Sequence, residues 1–208
     1  MTNNKFNTKK VCILTSREIG EKCIEWAKFN TPKGFELIED FKKADIIISV
    51  MFDKIIKKQD LKHKNCYNFH PGTLPEYKGT GIFSWAIINE ESKMGVTLHL
   101  IDDGVDTGDI IEIRQFLISK DDTAHSLFLK GCKVIYKMFK NWYHDLLNQD
   151  YQAVPQDTSK GKNYYLKDLQ KAKNLTKFAK AFYFPSKESA YYYNDKHEKI
   201  YISYKNDI

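Results

Sequence analysis

The chain has 208 residues, 42% of them hydrophobic and with thirteen Phe and thirteen Tyr, enough for one substantial core plus a small appendage but not for two full-sized domains. Its formal net charge of +6, from 33 basic and 27 acidic residues, biases it mildly toward an anionic ligand, and without an arginine-rich tract, a zinc-finger pattern or a helix-turn-helix pattern no nucleic-acid partner is expected. No apolar run approaches the ~20 residues of a membrane span, and the opening MTNNKFNTKK lacks the apolar centre of a signal peptide, so the expectation is a cytoplasmic protein with no membrane partner. Cys12, Cys23, Cys66 and Cys132 are widely spaced in apolar runs and read as reduced core residues; no His pairs with a Cys at ligand spacing, so no metal is expected.

In chain order, residues 11–14 form a short apolar run that ends at Thr15-Ser16-Arg17, after which Ile19, Cys23, Trp26 and Ala27 recur at helical spacing. Residues 44–52, ADIIISVMF, make a continuous β-branched run suited to a strand buried on both faces of a parallel sheet. A further strand at 66–69 runs into His70-Pro71-Gly72, where the chain leaves the sheet. Residues 81–89 read as a short helix carrying Phe83, Trp85 and Ile88, and 95–101 and 110–118 read as paired strands around a loop whose Gly104 and Gly108 suggest unusual backbone angles.

From Asp122, a plausible N-cap, Leu127, Ile135, Met138, Phe139, Trp142 and Leu146 mark the inner face of a long amphipathic helix. Beyond Tyr151, Pro155, Ser159 and Gly161 give a linker-like composition, and two aromatic runs flank the polar 194–198 as in a β-hairpin. The expected organisation is a Rossmann-like, mostly parallel α/β domain over 1–150 and a short C-terminal extension over 151–208 that ends in a β-hairpin. No G-x-G-x-x-G is present, which argues against a dinucleotide cofactor.

Asn68, His70 and Asp106 are the candidate catalytic residues. Asn68 and His70 are two apart on a strand and so share a face. Asp106 follows the strand at 95–101, and strand ends of open α/β sheets are common ligand sites. When an amine attacks a carbonyl carbon, charge grows on the oxygen; the Asn68 amide or a protonated His70 can donate to it. His70, with a reference pKa of ~6.5, can also take the amine's proton, oriented by Asp106, which favours the charged imidazole.

The strings NFHPGTLPEYKGTG and GVTLHLIDDGVDTGDII, with Asp106 36 positions after His70, resemble the 10-formyltetrahydrofolate-dependent formyltransferases. The resemblance is close over 44–118. It implies a formyl donor, 10-formyltetrahydrofolate, held along Ile101, Asp102, Asp103, Gly104 and Val105, with the two carboxylates also stabilising their loop. Family members that act on methionyl-tRNA carry a second domain of about a hundred residues. The segment GIFSWAIIN and the tail AKAFYFPSKESAYYY look instead like the nucleotide-sugar N-formyltransferases. That implies a dTDP- or UDP-linked 4-amino-4,6-dideoxyhexose acceptor destined for a lipopolysaccharide O-antigen, and a homodimer to which the tail contributes. Another small amine, such as glycinamide ribonucleotide, or a catalytically silent binding protein of the same fold, is the alternative. The stretch before Asn68 is short for the family, which predicts a trimmed helix–strand unit there.

Substrate contacts are expected from Lys78, Arg17, Trp85 and Tyr183, each with an alternative. Lys78 and Arg17 read as phosphate ligands or as solvated cations. Trp85 reads as a sugar contact or as core, and Tyr183, with Phe184, Tyr191 and Tyr193, as a nucleobase platform or a dimer surface. His63, His99, His125, His144 and His197 carry no motif and read as structural.

Overall fold

The computed structural model describes residues 8–165, 175–185, 187–193 and 196–202. In chain order, β1 (Lys9–Thr15) leads into α1 (Glu18–Asn30), β2 (Phe35–Leu37), a 3-10 turn (Phe41–Lys43), β3 (Ile46–Val50), the one-turn helix α2 (Lys58–Leu61) and β4 (Asn65–His70). Then come β5 (Tyr77–Gly79), α3 (Ile82–Ile88), β6 (Lys93–Leu100), β7 (Ile110–Leu117) and the long α4 (Ala124–Asn148). The chain closes with β8 (Lys162–Tyr164), α5 (Leu175–Phe182), β9 (Tyr191–Tyr193) and β10 (Lys199–Tyr201).

Six strands form one sheet in the order β2-β1-β3-β4-β6-β7. The first four run parallel, and β6 and β7 are antiparallel to their neighbours. This is the expected mostly parallel α/β architecture. β3 lies in its middle with all five residues buried, as its unbroken β-branched run requires.

Period-two alternation divides the side chains between two faces with different coverings. One face presents Val11, Ile13, Ile46, Ile48, Val50, Tyr67, Phe69, Val96 and Leu98 to Cys23 and Ala27 of α1 and to Ile135, Met138, Phe139, Tyr143 and Leu146 of α4. Phe139 is fully buried there, and truncating such a ring to Ala costs about 3–5 kcal/mol. The buried hydroxyls on this side are satisfied: Tyr67 donates to the Leu146 carbonyl at 3.1 Å, and the Tyr143 and Thr31 hydroxyls are 2.7 Å apart.

The opposite face is apolar only in its first half, where Cys12, Ile47 and Cys66 meet Phe41, Ile56 and Leu61. Both crossovers flanking β3 are single turns rather than full helices. The second half of that face is left open.

The N-cap of α4 is Thr123 rather than Asp122. Thr123 Oγ1 accepts from the Ser126 amide and Ser126 Oγ accepts from the Thr123 amide, a reciprocal box. Asp122, one residue earlier, instead accepts from the Ser119 amide and the Ser126 hydroxyl.

Past Tyr151 the chain stays in contact with the preceding elements. Val154 bridges Ile110, β8 pairs parallel with β5, and α5 packs on α3 and α4 around Ala181, Phe83 and Leu127. β9 and β10 pair antiparallel, with Tyr191 opposite Tyr201. Among the described residues no helix is long and apolar enough to cross a membrane.

Candidate active site

Register brings the site together on the open half of the sheet face. Ser49 of β3, Asn68 of β4 and His99 of β6 are directly paired, so their side chains stand abreast on one face. His70 stands two residues further along β4, opposite Thr97. Because β6 runs antiparallel to β4, its C-terminal end lies beside the middle of β4, where the Ile101 amide donates to the Cys66 carbonyl. Asp106 therefore does not arrive at a shared carboxyl edge. The loop after β6 folds back across the face to deliver it.

That fold-back depends on Gly108, but not through the unusual angles expected of the loop glycines. Neither Gly104 nor Gly108 has a positive φ; Asp106 itself does, at 54°. Gly108 is needed for space, since a Cβ there would lie 1.9 Å from the Leu100 carbonyl oxygen. Asp tolerates the left-handed region better than most residues. The loop is braced within by Asp102, which accepts from the Gly104 amide and the Thr107 hydroxyl, and from outside by Gln156, whose amide donates to the Asp106 and Gly108 carbonyls. Asp103 pairs with Lys58 of α2.

The three expected residues meet. Asp106 Oδ1 is 3.4 Å from Asn68 Nδ2, and Asp106 Oδ2 is 3.5 Å from His70 Nδ1 and accepts from the Gly79 amide at 2.9 Å. A fourth residue joins them: His99 Nε2 is 3.1 Å from Asn68 Nδ2 and 3.6 Å from Asp106 Oδ1. Reading His99 as merely structural missed this. Its signal was the alternation of β6, which sends Val96 and Leu98 to the core and Thr97 and His99 to the face of Asn68 and His70.

Hydrogen-bond partners assign the tautomers. His99 Nδ1 lies 2.6 Å from the Leu100 carbonyl, which only accepts, so Nδ1 carries the proton and Nε2 accepts from Asn68. Likewise His70 Nε2 donates to the Tyr77 carbonyl at 2.7 Å, leaving Nδ1 as a lone pair.

Burial pushes the His70 pKa down; the Asp106 charge, which favours the charged imidazole as expected, and the Tyr77 hydrogen bond pull it back up only in part, so the net shift favours the neutral ring. Its side chain is 3% exposed. For Asp106, burial alone would raise the carboxyl, but the imidazoles of His70 and His99, which carry charge at the low pH where a carboxyl titrates, and the Gly79 amide outweigh it and hold the group below the ordinary carboxylate value.

The cleft around these groups has a volume of about 1030 Å³. Ile101, Asp102, Asp103, Gly104 and Val105 all line it, as do Arg17, Asn68, His70 and Asp106. Lys78, Trp85 and Tyr183 do not. Residues 77–79 form a strand paired with β8, which buries Lys78 with its ammonium on the Thr158 carbonyl, so it is neither a cleft cation nor a solvated one. Trp85 packs on Tyr164 and donates to the Tyr165 carbonyl. Tyr183 lies between Phe182 and Phe184, which face the cleft in its place. Among the described residues no group of three or more His, Cys, Asp or Glu is placed to hold a metal ion.

A mixed α/β sheet that gathers an amide, an imidazole and a carboxylate in one cleft is an arrangement able to donate a hydrogen bond to a developing negative charge and to accept a proton. The chain belongs to the formyl transferase family, whose sequence profile it matches over residues 27–140. It is 33% identical over 146 residues to a methionyl-tRNA formyltransferase of Kosmotoga olearia, a match covering 69% of this chain and 47% of that protein; the chain thus spans about half the length of this relative. Among solved structures it is similar to a 4-N formyltransferase of Francisella tularensis, with a TM-score of 0.81 and 18% identity over 95% of this chain and 97% of that one, a likeness of fold. It is also similar to an N-formyltransferase of Helicobacter canadensis in complex with folinic acid and dTDP-3-aminofucose, with a TM-score of 0.74 and 25% identity over 87% and 83% of the two chains.

Proposed function

We propose that the protein transfers a formyl group from 10-formyltetrahydrofolate to the amino group of a nucleotide-linked 4-amino-4,6-dideoxysugar. The observation that carries this reading is the convergence of Asn68, His70 and Asp106 in one cleft large enough for two small molecules. Support for a folate donor comes from the lining beside Asp106. Met51, Phe52, Ile56 and Ile101 make an apolar slot, and Ile55 and Val105, 82% and 47% exposed, offer it further apolar surface that a flat heterocycle would cover. The sugar acceptor draws support from the Helicobacter canadensis neighbour, which binds dTDP-3-aminofucose.

The chemistry asked of the residues is modest. As the acceptor nitrogen adds to the formyl carbon, charge builds on the carbonyl oxygen, and Asn68 donates an N–H to it. The longer of that amide's two contacts, the 3.4 Å one to Asp106, is the one given up. His70 Nδ1, unprotonated at rest, takes the proton shed by the nitrogen; Asp106 then faces an imidazolium and stabilises it, and as the adduct collapses the bond from the formyl carbon to the donor nitrogen breaks, His70 returning the proton to that nitrogen so that tetrahydrofolate leaves. His99 holds the Asn68 amide in place throughout.

Incubating the protein with 10-formyltetrahydrofolate and dTDP-, UDP- and GDP-linked amino sugars, glycinamide ribonucleotide and methionyl-tRNA, with products read by mass spectrometry, tests the reading. N-formylation of an amino sugar is expected. Formylation of one of the other amines instead would overturn the acceptor, and donor binding with no product on any amine would overturn catalysis.

A further inference from the structure

The walls of the cleft differ in chemistry according to the elements that build them. Residues 51–58 and 101–105 give an aliphatic wall carrying Lys54 and Lys57. The N-terminal part of α4 and residues 182–185 and 187–191 give an aromatic one: Phe128, Phe182, Phe184 and Tyr191 all line the cavity and are all only half-buried. Two of these rings brace each other, and a cation sits over a third. Phe128 and Phe184 lie 5.2 Å apart at 63°, and the Lys199 ammonium sits 3.8 Å over the Tyr191 ring.

Charge on this wall is lopsided. Glu188 lines the cleft but is already engaged by Lys199 and by the Tyr201 hydroxyl. Lys187 lines it too and has no carboxylate partner among the described residues. An aromatic surface beside an uncompensated cation suits a planar base joined to an anion.

We propose that residues 182–185 and 187–191, together with Phe128, form the subsite that selects the acceptor, with Phe128, Phe182, Phe184 and Tyr191 packing the base of a nucleoside diphosphate and Lys187 meeting its phosphates. The inference rests on the functional reading above, in which the donor lies against residues 101–105. It assigns selection to a segment that carries none of the Asn68, His70 and Asp106 machinery.

Calorimetric titrations of dTDP, UDP, GDP and folinic acid into wild-type protein, Lys187→Ala, Lys187→Arg and Phe184→Ala test it, with thermal melts confirming that each variant folds. For the nucleoside diphosphate that wild-type protein binds best, Lys187→Ala and Phe184→Ala should each raise Kd roughly tenfold or more, and Lys187→Arg should restore most of the loss. Folinic acid Kd should stay within about twofold. Unchanged nucleotide binding in folded Lys187→Ala overturns the subsite while leaving the functional reading intact, as does a selective loss of folinic acid. If wild-type protein binds no nucleoside diphosphate, the acceptor assignment fails and the subsite with it.

Discussion

In the proposed reaction His70 can act as a base only while its imidazole is neutral, and its burial favours that form. With its pKa below the ordinary ~6.5, the acidic limb of a kcat/KM profile falls at lower pH than an exposed histidine would give. Asp106→Asn removes the charge that lifts His70, so the limb moves further toward acid while kcat drops. Measured profiles with a wild-type limb above 6.5 would contradict this. His70→Asn should lower kcat by about 10²-fold or more with little change in KM.

The same shift links to stability. Below the ordinary pKa the unfolded chain takes up a proton that folded His70 refuses, so stability is full above that value and is lost as pH falls toward the folded pKa. Asn68, His70 and Asp106 were legible because their spacing and neighbours form a joint pattern. His99 was not, because a lone histidine in an alternating strand carries no mark until register sets it beside Asn68. Lys78, Trp85 and Tyr183 were placed near the right elements but not on the right side of them, which depends on the pairing of β5 with β8 and the seating of α5.

Among elements, the loop between β6 and β7 matters most to the site. The positions of β1, α1, β3, β4, α3, β6, β7 and α4 were readable from apolar runs and periodicity, whereas the short β2, α2, β5 and β8 and the helix α5 were not, and neither was the reason for Gly108, since crowding by the Leu100 carbonyl arises only once β6 and the loop pack. Gly108→Ala should displace the loop and with it Asp106, lowering kcat at least tenfold, whereas Gly34→Ala, with open space around its Cβ but a strained φ of 95°, should affect stability and leave turnover alone. Comparing kcat and melting temperature for the two separates a site effect from a backbone effect. Thr123 replaced Asp122 as the α4 cap because either residue satisfies the capping preference; only the position of the first helical turn decides between them.

At the scale of the molecule, unbroken apolar runs interspersed with helical spacing predicted the α/β sheet, and composition could not show which half of which face would be left bare. The bareness follows from the two one-turn crossovers beside β3, where a longer connection would have laid a helix. A small molecule resting on Ile101 and Val105 would take that helix's place as a packing layer. Ligand should then act as a missing piece of the fold: melting temperature should climb with folinic acid concentration, approaching a stabilisation of about 2.7 kcal/mol at a hundredfold excess over Kd. A melting curve indifferent to saturating folinic acid would mean that the bare face is complete as it stands.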